Sequence, residues 1–192
     1  MTSKLKMFAG GTVLVRDFCH VNGLPTPRIV VVPKGEWRFG GTCAYYREDV
    51  ITICLERCAH VGHGGPAWSY PGYVADRTPY GVMAHELGHH VDYHRSQDKG
   101  AYGGDFSVAM RRASGEKRLT SYCPNDWEWF AEMFRLFCTN SHLLQCIRPR
   151  TYDEMVGEGL KPVEQRGWGE VLKDAPERTR EMARKKVMHG HP

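Results

Sequence analysis

The sequence predicts an α+β fold in one domain, with a small, mostly antiparallel sheet placed after a leading helix and before a helical C-terminal part. Three observations predict it. Apolar residues recur at helical spacing near the N-terminus, β-branched residues gather in short runs between residues 28 and 55, and capped helical patterns take over after residue 78. A chain of 192 residues, 41% apolar and 11% aromatic, can build one hydrophobic core and matches neither a disordered segment nor a disulfide-stapled miniature. No internal repeat, low-complexity tract or linker divides it, so residues 1–192 are expected to form a single domain, with a basic helix or tail over about 177–192.

Taken in order, Val13, Leu14, Phe18 and Val21 fit one helical face, which predicts a helix over 12–21 that covers the sheet and ends near Asn22-Gly23. Pro27 introduces the β-branched run 28–32, stopped by Pro33 and expected as a buried strand. Segments 42–46 and 50–55 flank Arg47-Glu48-Asp49 and read as an antiparallel pair joined by a polar turn. The stretch 57–78 mixes glycines and prolines with Trp68, Tyr70 and Tyr73, so an irregular loop is expected, acting as a rim or lid over a site.

Thr78 is placed to cap the next helix, with Pro79 in its first turn, and the polar, glycine-rich stretch 96–104 ends it. A short helix is expected over 106–113. Pro124-Asn125 sets up a cap for a strong helix from about Asp126, on which Phe130, Phe134 and Phe137 mark a core face. Short helices are expected over 142–146 and, after a break at 148–150, over 151–156, with a last basic helix over 177–188.

The charge pattern narrows the function. The net charge of +4 comes largely from Arg178, Arg180, Arg184, Lys185 and Lys186, a grouping read as a solvated helix face, so no nucleic-acid partner is expected. Seven cysteines without a CxxC pair fit reduced thiols in a cytosolic protein. Cys54, Cys58, His60 and His63 are either a cramped second, structural zinc site or a loop with incidental thiols. The N-terminal apolar run is too short to span a bilayer and makes a poor secretory signal, so a cytoplasmic protein without a membrane segment is expected.

The chemistry centres on His85-Glu86-Leu87-Gly88-His89, an HExxH pattern. On a helix, residues four apart share a face, so His85 and His89 can direct two imidazoles at one metal ion while Glu86 stands beside it to take a proton from water. A third ligand is needed. An extended HExxH motif of the metzincin kind would place a glycine at position 92 and a histidine at 95, where this chain has Asp92 and Arg95. A carboxylate from a later helix remains, and Glu128, one turn before Glu132 on an aromatic helix, is the best candidate, because buried carboxylates need partners. His90 and His94 point off the His85/His89 face and are read as surface or supporting residues rather than ligands. Asp92 either hydrogen-bonds a ligand imidazole or caps the helix.

His85-Glu86-Leu87-Gly88-His89, followed by Ser121-Tyr122 and then Asn125-Asp126-Trp127-Glu128-Trp129-Phe130-Ala131-Glu132-Met133-Phe134-Arg135, resembles the gluzincin metallopeptidases of the group around the anthrax lethal factor catalytic domain and the Pro-Pro endopeptidases. Asp126 stands where that group has Glu, and the interval from Tyr122 to Glu128 is one residue shorter than the family's. The resemblance implies a zincin-like fold and one catalytic Zn2+ held by His85, His89 and Glu128. It also implies Glu86 as general base, Tyr122 as donor to the oxyanion, and Glu132 as a carboxylate that orients a ligand histidine.

The activity implied is hydrolysis of peptide bonds in a peptide or protein substrate. The strand 50–55 is expected either to offer the edge along which that substrate lies or to be ordinary sheet core. Two other classes compete: a zincin-fold protein that binds metal or a partner without turnover, and a small DNA-associated accessory protein using the basic tail. An intact Glu86 speaks against the first, since a binding site has no need of a base beside the metal, and the second rests on charge alone.

Overall fold

The computed structural model describes residues 3–62, 69–96, 104–163 and Glu177. The basic helix expected over 177–188 lies, Glu177 apart, outside them. The architecture is α+β, with a three-stranded mixed sheet and six helices among the described residues. None of these helices is long and apolar enough to cross a membrane.

Helix α1 spans Ser3–Asn22 and begins nine residues before the expected 12–21. Met7, Gly11, Leu14, Val15 and Phe18 carry one buried stripe through the Gly10-Gly11 pair. The glycine is used for close approach: a Cβ on Gly11 would sit 2.9 Å from the sulfur of Met83 on α2. Consequently α1 packs on α2 (Pro79–Arg95) instead of covering the sheet, which corrects the expectation.

Strands β1 (Arg28–Val31), β2 (Ala44–Arg47) and β3 (Val50–Ile53) lie in the order β1-β3-β2. The β2–β3 hairpin is antiparallel as expected, with Ala44 opposite Ile53 and Arg47 opposite Val50. Glu48 and Asp49 form its two-residue turn at φ 48° and 61°. Both lie in the left-handed region, the geometry that matches the right-handed twist of a hairpin. β1, however, pairs parallel with β3, Arg28 opposite Val50, so the sheet is mixed rather than mostly antiparallel.

Two expectations change with it. As an outer strand, β1 is only half-buried, with Val31 46% exposed. β3 is hydrogen-bonded on both sides and has no edge to offer a peptide. Sequence patterns locate strands, but which strand becomes central depends on how the 32–43 connection returns.

Residues 69–78 are irregular as expected, and 73–75 do border a cleft as a rim, but the segment is core chain rather than a lid. Ser69, Tyr70, Asp76 and Thr78 have no exposed surface. Carbonyls that would otherwise be orphaned in the core are met by side chains of α4 (Asp126–Thr139) and its C-cap: Arg135 donates to the Val74 carbonyl and to that of Asp76 at 2.9 Å, and Asn140 Nδ2 to that of Gly72 at 3.2 Å. Pro79 opens α2 at its first position, but the Thr78 hydroxyl donates to Asp76 Oδ1 at 2.6 Å and does not cap the helix.

Helix α2 is the hub. It contacts α1, α4, β2, β3 and α3 (Asp105–Ser114), and its buried residues run around its whole circumference. Its tightest contact is with α4, where a Cβ on Gly88 would lie 2.8 Å from the Cα of Ala131. Helix α4 begins at Asp126 with Asn125 as its cap, Oδ1 accepting the Glu128 N–H at 2.9 Å, as the sequence indicated. Helices α5 (Ser141–Ile147) and α6 (Pro149–Gly157) follow. Pro149 starts α6 instead of belonging to a break before it, because a first-turn proline has no hydrogen bond to lose.

Two tests follow from this packing. Gly88→Ala is expected to lower stability by about 1–3 kcal/mol through overpacking against Ala131, seen as an earlier urea midpoint; an unchanged midpoint would contradict the close approach. Burial pushes the Asp76 carboxyl up to about 7, against the opposing hydrogen bond of Thr78 and charge of Arg135. A raised folded-state pKa gives stability that is full below the unfolded value of about 3.9 and is lost as pH rises through 7. With chelator present, the wild type is therefore expected to lose stability relative to Asp76→Asn between pH 4 and pH 7 in a urea series, and parallel profiles would refute this.

Candidate metal centre

Three side chains expected to act together meet at one point. His85 and His89 project from one face of α2, and Glu128 reaches them from the first turn of α4. Their ligand atoms all lie within 4.8 Å of one another. Glu128 Oε2 is 3.1 Å from His85 Nε2 and 3.7 Å from His89 Nε2. Ligands at about 2.0–2.2 Å from a tetrahedral ion stand about 3.3 Å apart, so the observed pair brackets that spacing.

Protonation supports the same fit. His85 Nδ1 is 2.9 Å from Glu132 Oε1, and since an ionised carboxylate only accepts, Nδ1 carries the hydrogen. In the neutral imidazole the Nε2 lone pair then faces the Glu128 carboxylate, an arrangement that requires a cation between the two. Without an ion a proton takes that place: although burial opposes the charge, Glu128 and Glu132 hold the His85 imidazole up to about 10. Burial also works against ionised Glu128, but its hydrogen bonds with His85 and His89 hold its carboxyl well below the usual range. Two imidazole nitrogens and a carboxylate oxygen are a donor set suited to a divalent transition-metal ion.

Glu132 is tied on every side. Oε1 accepts from His85, and Oε2 accepts from the Thr120 hydroxyl at 2.8 Å and from Arg135 at 2.7 Å. Glu132 and Arg135 are both buried. The role expected of Glu132, orienting a ligand histidine, has its contact. Arg135 was missed in the sequence, although its spacing three residues after Glu132 put both on one face of α4.

Glu86 is buried beside the centre, and desolvation raises its carboxyl despite the nearby imidazoles. Tyr122 is 54% exposed, and its ring centre lies 5.9 Å from that of His85. Glu86, His85 and Tyr122 line one cleft of about 530 Å³, walled by residues 41–44 leading into the outer strand β2, by 73–75 and by 119–122. Cys43, on that wall, had no assigned role in the sequence; the Cys58 thiol brings it down to about 7 against the effect of burial.

The remaining candidates divide. Asp92 accepts the backbone N–H of Gly104 at 3.2 Å and of Ser107 at 2.8 Å, so it secures the start of α3 rather than a ligand imidazole. Cys54, Cys58 and His60 bring no set of three ligand atoms together among the described residues, and His63 lies outside them. His90 and His94 turn away from the centre as expected, but they meet Asp49 in a second cluster that the sequence did not reveal. Of the aromatics Trp127, Trp129, Phe130, Phe134 and Phe137, read from the sequence as core, the last four are fully buried, whereas Trp127, in the first turn of α4, is only half-buried and stands outside the core.

Comparison of the chain with family models, with curated proteins and with solved structures finds no match to any of them. The reading of this centre therefore rests on its own geometry.

Glu132→Gln is expected to weaken metal binding about 10- to 100-fold, the usual effect of losing a partner that orients a ligand. Competition with a chromogenic chelator measures it, and wild-type affinity would show that Glu132 does not govern the ligand.

Proposed function

We propose that this protein is a zinc-dependent metallopeptidase of the gluzincin kind, acting on a peptide or protein substrate. The observation that carries the proposal is the two-helix set His85, His89 and Glu128 beside a buried carboxylate outside that set, Glu86, which lines one cleft together with His85. A zinc ion held there supplies Lewis acidity, which activates water and polarises a carbonyl. Glu86 accepts a proton from the attacking water on its carboxylate and passes it to the leaving amine. Its raised pKa brings it closer to the range in which one group can do both.

Tyr122, which lines the cleft, is the residue assigned to donate its hydroxyl to the developing oxyanion. Desolvation and the surrounding carboxylates raise it to about 12, so it keeps its proton at neutral pH. Substrate backbone is proposed to lie along residues 41–44, where the chain enters the outer strand β2, in place of the central strand β3. Glu132 and Arg135 hold His85 in the tautomer whose Nε2 faces the ion. A zincin-fold protein that binds metal without turnover is the competing reading, and the buried Glu86 favours hydrolysis over it, because a charge desolvated beside a metal without chemical use is costly.

A broad peptide library incubated with zinc-loaded protein is expected to show cleavage that chelation abolishes and zinc restores. Glu86→Gln is expected to retain the ion while losing about 10²- to 10⁴-fold in rate. Cleavage at the wild-type rate in Glu86→Gln would remove it as the base, and a library left intact by the wild type would favour the silent metal-binding reading.

A further inference from the structure

Helix α2 carries a second histidine pair at the same spacing, His90 and His94. It is offset from the first by five residues, which at about 100° per residue turns it roughly 140° around the helix. The two pairs therefore open on different sides of α2, and the second faces the turn of the β2–β3 hairpin. There Asp49 Oδ1 lies 2.6 Å from His94 Nε2 and 3.3 Å from His90 Nδ1. The three ligand atoms fall within 4.8 Å of one another, as in the first centre.

The neighbouring acceptor fixes the tautomer of His90. His90 Nε2 is 2.7 Å from the Pro25 carbonyl, which can only accept, so Nε2 carries the hydrogen. In the neutral imidazole Nδ1 is then a lone pair, aimed at Asp49 Oδ1. The Tyr46 hydroxyl lies 3.2 Å from Nδ1 and 3.1 Å from Oδ1. In the metal-free protein it can donate to His90 Nδ1 while His94 Nε2–H donates to Asp49 Oδ1, so the three ligand atoms are drawn together by hydrogen bonds that an ion can replace.

A divalent ion at this point would accept both lone pairs together with that of His94 Nε2. The elements are also arranged for it. His90 is fully buried and fixed by Pro25, while the Asp49 side chain is half exposed, so the cluster is anchored inside and open to solvent. Asp49 belongs to the two-residue hairpin turn, and its carboxylate reaches both histidines of α2 from there.

We propose that Asp49, His90 and His94 form a second metal site, for a divalent transition-metal ion of the zinc class, which clamps the β2–β3 turn to the C-terminal half of α2. Its donor set of two imidazoles and one carboxylate suits such an ion, and the exposed side leaves a position for water. The 2.6 Å contact of His94 with Asp49 is a hydrogen bond in the metal-free protein and widens by about 0.7 Å to the roughly 3.3 Å of tetrahedral ligands.

The test uses Zn2+ alone, added to chelator-treated full-length protein, with bound metal counted after gel filtration and unfolding followed by circular dichroism. Wild type is expected to take up two ions and His94→Ala one. His85→Ala/His89→Ala is expected to keep one ion and to unfold at a higher temperature with zinc than without; adding His94→Ala should remove both effects. Equal uptake by wild type and His94→Ala would overturn the proposal and leave a hydrogen-bonded cluster with no metal. If the double variant does not fold, wild type against His94→Ala decides alone. Should the first centre bind no ion, wild type takes up one and His94→Ala none, so failure of the peptidase reading stays distinct from failure of this one.

Discussion

The crossing of α2 and α4 at Gly88 and Ala131 sets the spacing on which the candidate centre depends. Gly88 stands three residues after His85 and one before His89, and Ala131 stands three after Glu128 and one before Glu132. The point of closest contact is therefore bracketed on both helices by the residues that meet across it. A Cβ at Gly88 would already meet the backbone of Ala131 at 2.8 Å, so a larger side chain there would push apart the helices that carry the contacts on either side. Helix packing and the assembly of the centre are one construction.

That construction encloses charges that water would otherwise stabilise. His85, Glu132 and Arg135 are buried together, and each charge is met by another or by a backbone carbonyl. Buried pairs of this kind add little net stability, but removing one member leaves the other unsatisfied, at a cost of about 3–5 kcal/mol. Arg135 extends the network beyond the centre, because the same guanidinium that pairs with Glu132 also donates to the carbonyls of Val74 and Asp76.

Features governed by neighbours in sequence were legible. The spacing of His85 and His89, the Asn125 cap and the aromatic face of α4 follow from local geometry, and Glu128 was visible because a carboxylate among aromatics needs a reason. Features governed by long-range pairing were not. The place of β3 at the centre of the sheet depends on a parallel partner 22 residues away, Arg28 opposite Val50. The burial of 69–78 depends on donors from α4, and glycine- and proline-rich composition resembles that of a surface loop. His90 and His94 showed their spacing, but Asp49 joins them only because the hairpin turn comes to rest against α2.

The segment 69–78 also bears on how the cleft can change. Surfaces that recognise other molecules are commonly carried on loops whose substitution leaves the scaffold intact. Here residues 73–75 wall the cleft while their backbone is terminated inside the core by Arg135 and their neighbours by Asn140. A substitution that reshapes this wall must also be accommodated by α4. The shape of the cleft and the stability of the core are thus set by the same residues, and drift in one is constrained by selection on the other.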